Sequence, residues 1–153
     1  MPAAPPEVGV FTTDATLVVR VWDDWLAAVT GIAADAARGR PLAEVVPDIV
    51  RRGLLPRFQE VLASGAVHVL APALHHYLIP CPPRTPSAHF TRMQQRVTIG
   101  PLREGDDVVG TMVTVQDVTA RLDAERSLAA ALRSSGSERA RTPRSGHVCR
   151  AAR

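Results

Sequence analysis

Lysine is missing altogether, and all 18 basic side chains are arginine. That bias carries no functional message, because codon usage alone can produce it. Rings are scarce as well. Aromatic residues make up 4% of a chain that is 46% hydrophobic, so a core must be built mainly from Val, Leu and Ala. Two cysteines, Cys81 and Cys149, are too few for a disulfide framework and favour a reducing, cytoplasmic setting. No stretch approaches the roughly 18–20 apolar residues that span a bilayer. The opening M-P-A-A-P-P-E-V has neither the basic nor the apolar part of a signal peptide, so no membrane partner is expected. There is no Gly-rich phosphate loop, no G-x-S-x-G elbow and no H-E-x-x-H, and no catalytic residue is assigned.

Charge is unevenly placed. The stretch from Arg133 to Arg153 holds six arginines and one acid, whereas residues 1–132 hold twelve arginines and fourteen acids. The overall charge of +3 therefore belongs to the C-terminal stretch. No aromatics interleave those arginines for base stacking, so a nucleic-acid partner is not expected.

What is present is a strand that turns directly into a helix. From Asp107, Val109, Thr111, Val113 and Val115 alternate with Gly110, Met112, Thr114 and Gln116, a β-branched pattern that suits a half-buried strand. Asp117 and Thr119 then supply side-chain oxygens for a helix start, and strong helix formers follow. A core strand joined without a loop to a departing helix can pass a change in the sheet to whatever follows.

Ahead of that stretch, Val8–Thr13 and Leu17–Trp22 read as strands of a hairpin. A helix starting at Asp23 or Asp24 is expected to end at Thr30-Gly31, and short helical turns over Ala33–Arg38, Leu42–Val46 and Asp48–Arg52 come next. Leu55–Ser64 is a clear amphipathic helix, with Phe58, Val61 and Leu62 on one face. Ala66–Leu70, continued over Ala73–Ile79, and His89–Leu102 read as strands on either side of a Pro-rich loop, Pro80–Ser87. Met93, Gln95, Val97 and Ile99 share one face of the second. Strands at both ends with helices between them predict an α+β domain, an antiparallel sheet with helices on one face. The chain divides into a flexible lead-in at 1–7, a domain at 8–117, an exit helix at 118–133 and a disordered basic tail at 134–153.

Four segments in order resemble the PAS domain. They are the hairpin of Val10–Asp14 and Val18–Trp22, the helix end Trp25–Gly31, the G-R-P-L-A-E-V-V-P of Gly39–Pro47, and the last strand with its closing Asp117-Val118-Thr119. The family often has Asn where this chain has Asp23; either residue can cap a helix. The resemblance implies a five-stranded antiparallel sheet, short helices on one face, a C-terminal exit helix, and a small cavity that in some members holds a ligand. It also implies a sensor or protein-interaction module of bacterial signal transduction, not a catalyst. The alternative is the sensory N-terminal fragment of a histidine kinase or cyclase whose catalytic part is missing.

Asp117, Val118 and Thr119 are the candidate signal junction. Trp22, Trp25, Phe58 and Met112 are candidates to line a cavity for a small apolar ligand. Val118, Leu122, Glu125, Ala129 and Leu132 recur at coiled-coil spacing, so a homodimer or a downstream signalling domain is the expected partner. The cofactor stays unassigned. His68, His75, His76 and His89 are available for haem and Cys81-Pro82 resembles a haem-responsive pair, but Leu54–Gly65, where haem-binding members carry their ligand, has no His. Leu42–Pro47 lacks the Cys of the flavin photosensors, and His75, His76, Cys81 and His89 match no zinc spacing.

Overall fold

Alternation sets the sheet. In the computed structural model, which describes residues 7–140, the strands are β1 (Val8–Asp14), β2 (Val19–Trp22), β3 (His68–Leu70), β4 (Gln95–Glu104) and β5 (Asp107–Asp117). They form one antiparallel sheet in the order β2-β1-β5-β4-β3. Val113 sits opposite Phe11 on one side and Ile99 on the other, and Val97 is opposite Val115. These residues point to the buried face, while Met112 and Gln116 point away from it.

The helices cover that buried face. They are α1 (Asp24–Thr30), α2 (Ala34–Ala37), α3 (Leu42–Val45), α4 (Pro47–Arg51) and α5 (Leu55–Ser64), followed later by the turn α6 (Pro72–His75) and the exit helix α7 (Thr119–Ala140). Leu26, Leu42, Ile49, Phe58 and Val61 come down on Phe11, Ile99 and Val113 to make one core. Close approach of α1 to β1 depends on Gly9. A Cβ there would lie 2.5 Å from the Trp25 ring and 2.7 Å from Leu26. Asp23 ties the two together. Its Oδ2 accepts from Val10 N at 2.7 Å and its Oδ1 from Leu26 N at 2.9 Å, so the carboxylate serves as the α1 cap. Gly31 ends α1 in the left-handed region with φ of 73°, as the T-G pair predicts.

Several expectations are corrected. β2 begins at Val19 because Leu17 takes a φ of 61° and Val18 makes only an isolated bridge to Pro41. The chain after β3 does not continue as a strand. Pro72 starts the helical turn α6, and His76, at φ of 63°, ends it. β4 starts at Gln95 and not at His89, because 89–94 are taken up in contacts with α7 described below. The exit helix runs on to Ala140, past the expected end at 133. The Ser134 and Ser135 hydroxyls donate to the carbonyls of Ala130 and Ala131, which lets these serines sit on the helix without competing for its backbone. The rest of the basic tail, and the lead-in before Glu7, lie outside the described residues. No helix among the described residues is long and apolar enough to cross a membrane.

Candidate functional site: the strand–helix junction and its clamp

The junction is buried and joined by hydrogen bonds. Only Val118 separates β5 from α7. Asp117 Oδ1 accepts from Thr119 N at 3.0 Å and from Thr119 Oγ1 at 2.7 Å. The Thr119 hydroxyl, having donated, accepts from Gln94 N at 2.8 Å. Val118 N donates to Gln94 O at 2.9 Å, and Asp117 N donates to Glu7 O at 2.9 Å. The start of the exit helix is therefore pinned to the residue that precedes β4. A cap of this kind contributes about 1 kcal/mol, and the buried partners raise the cost of breaking it.

A second anchor lies one turn on. The Pro-rich insert returns across α7, and Asp123 receives it. Oδ1 accepts from Ser87 Oγ at 2.9 Å and His89 N at 3.0 Å, and Oδ2 from Ala88 N at 3.4 Å. His89 Nε2 and Ser127 Oγ are 3.0 Å apart, and the Arg126 guanidinium lies 4.4 Å from the centre of the Phe90 ring. Burial would raise the Asp123 pKa, but the donors from Ser87, Ala88 and His89 outweigh it and hold it below the usual carboxylate range. Neither Asp123 nor Gln94 stands out in the sequence, since their partners are 25 to 36 residues away.

The base of the insert is built around Gln95. Its Oε1 accepts from Leu78 N and Ile79 N at 2.9 and 3.1 Å, and its Nε2 donates to Ile79 O at 2.8 Å. Arg52 donates to the carbonyls of His75 and Tyr77 and stacks on the Tyr77 ring at 4.1 Å. Cys81 is buried beside Gln95 and Met93. Burial, with Asp117 nearby, pushes its thiol up to about 11, which leaves it a poor nucleophile.

Of the candidate cavity residues, Trp22 and Phe58 belong to one buried core, and Trp22 Nε1 donates to Ile32 O at 3.0 Å. Trp25 packs at the edge of that core. Met112 is 44% exposed on the opposite face of the sheet, which corrects its placement in the cavity. An open cleft exists elsewhere. Some 370 Å³ in volume, it lies between α6, Phe90 of the insert and the inner side of α7, where Leu122, Glu125, Arg126 and Ala129 form one wall. The histidines are dispersed. His68 Nε2 is 3.5 Å from Glu60, His89 belongs to the clamp, and His75 and His76 end α6. Among the described residues no three His, Cys, Asp or Glu side chains cluster as a metal site would require.

The family described as PAS fold matches residues 7–123. The chain has no match among curated proteins. Among solved structures it is similar to the sensory box sensor histidine kinase from Vibrio cholerae, with 14% identity and a TM-score of 0.55 over 73% of this chain and 82% of that one. It is likewise similar to the PAS domain of the histidine kinase ThkA, with 17% identity and a TM-score of 0.55 over 72% of this chain and 99% of that one. An RNA-binding light-oxygen-voltage receptor is 25% identical, with a TM-score of 0.53 over 88% of this chain and 34% of that one.

Proposed function

The chain belongs to the PAS fold family, and on that premise we propose that it is a sensory and protein-interaction module of bacterial signal transduction whose output leaves through α7. The observation that carries this is the double anchorage of the helix, at Thr119 by Gln94 and at Asp123 by Ser87–His89. A ligand or partner that moves the insert or the start of β4 acts directly on those bonds. It biases α7 between a docked and a released setting to the extent that it binds one setting better. Asp123→Asn should lower hydrogen-exchange protection at the Ala88 and His89 amides and over the first turns of α7 by about tenfold. Protection unchanged from the native chain would sink the reading.

The receiving partner is a second copy or a downstream signalling domain. Leu122 and Ala129 of the expected seam face the cleft, whereas Leu128 and Leu132 are 62% and 65% exposed. That pair, four residues apart, is the surface a partner helix would cover. A homodimer in sedimentation should become monomeric in Leu132→Glu; a native chain that is already monomeric would leave the downstream domain as the partner. The second reading is the input module of a histidine kinase or cyclase, favoured by a helix that continues to Ala140, well beyond the domain. A cytoplasmic setting fits a free, buried Cys81.

A further inference from the structure

Between sheet and helices, Phe11, Phe58, Leu26, Leu42 and Ile49 are fully buried. The open cleft sits instead behind the exit helix. We propose that this cleft, between α6, the insert and α7, binds a small monocarboxylate with an apolar body. The proposal rests on the signalling reading above and names the ligand class that would act on it.

Four observations lead there. The volume, some 370 Å³, is at the lower end of small-molecule sites, about 300–1,000 Å³. The lining is mainly apolar, with Pro72, Ala73, Leu122 and Ala129 to receive a hydrocarbon body. Arg126 supplies a cation on the wall. It stacks on Phe90 and makes no ion pair among the described residues, so its donors remain available for a planar carboxylate. Glu125, also on the wall, lies 3.8 Å from Arg121 Nε and adds a negative charge at the rim. With Glu125 paired to Arg121, the Arg126 guanidinium is the wall's unpaired cation among the described residues, enough to match one carboxylate but not two. Because one wall is the helix and another is the clamp residue Phe90, an occupant touches both sides of the contact that sets α7.

The test is an amide NMR titration of the full chain with phenylacetate, alongside phenylacetamide, which keeps the body without the charge, and malonate, which carries two charges on a small body. Phenylacetate should give saturable shifts at millimolar concentration or below, confined to 72–76, 90–94 and 122–129. Phenylacetamide and malonate should each bind about tenfold more weakly. Arg126→Gln should weaken phenylacetate by a similar factor, and Ala129→Trp, which fills the cleft without removing a clamp bond, should abolish the shifts. Shifts centred on Trp22 and Phe58, equal binding of phenylacetamide, or no saturable shift with phenylacetate would each overturn the site. Hydrogen exchange separates the two ideas. If Asp123→Asn releases α7 but phenylacetate does not bind, the cleft site falls and the signalling reading stands. If phenylacetate binds in the cleft while neither it nor Asp123→Asn alters α7 protection, the signalling reading falls and the site stands.

Discussion

The two sides of this domain are held by different forces. The helices from α1 to α5 are fixed to the sheet by hydrocarbon, and Leu26, Ile49, Phe58 and Val61 lose essentially all contact with solvent. Each such side chain contributes about 1.5–3 kcal/mol of burial. The exit helix is fixed by oxygen and nitrogen. Its first turns are held by Asp117, Thr119, Asp123 and Ser127, and its apolar Leu122 and Ala129 look into an open cleft. A net hydrogen bond is worth about 1 kcal/mol. One side is a scaffold that opens only when the domain unfolds. The other is an attachment that a handful of displaced bonds can undo, as the proposed output through α7 requires.

The comparison breaks most visibly at Phe58. Phe58→Ala should cost about 3–5 kcal/mol and lower the urea midpoint of the whole domain, since α5 packs on both β4 and β5. If α7 amides and core amides then exchange together, the two sides are one cooperative unit and the distinction fails. Thr119→Val should cost about 1–3 kcal/mol, because the Gln94 N–H and the Asp117 carboxylate lose a buried partner. Here the loss should be concentrated in α7 exchange, ahead of any change in the core. A core that loses protection equally would place Thr119 in the scaffold.

Acid sharpens the contrast with a smaller effect. Burial works to raise the Asp14 pKa, but hydrogen bonds from Thr16, Val18 and Arg20 prevail and bring it from 3.8 to about 2. Asp123 is shifted the same way by its own donors. Groups with depressed folded pKa values stabilise fully above their ordinary pKa, and that stability is lost as pH falls through the folded value. Between about pH 5 and pH 2, therefore, the β1–β2 turn and the α7 clamp should both loosen while the apolar core holds. Exchange at Val18 and His89 that quickens before that of core strand amides is the expected result; simultaneous loss everywhere would contradict it.

Much of the scaffold was legible because it depends on local periods. The alternation through Val113 and Val115, the cap at Gly31 and the stripe of α5 each follow from residues within a few positions of one another. The alternation also carried information that the cavity expectation neglected. If Val113 faces Phe58, its neighbour Met112 must face the other way. The clamp was not legible, because it depends on distance in sequence. Nothing around Asp123 shows that the backbone of Ala88 and His89 will arrive there, and nothing around Gln95 shows that it will hold Leu78 and Ile79. The Pro-rich insert was recognisable as irregular, but its docking site is set by tertiary contacts with no period to read.

The 22 residues of α7 make it a lever as well as a connector. At 1.5 Å per residue it is about 33 Å long, so a tilt of about 10° at Thr119 carries the far end through about 6 Å. Asp123 lies about 6 Å along the helix from Thr119, so a displacement of about 1 Å there is magnified to the width of a side chain by the time the helix reaches Ala140.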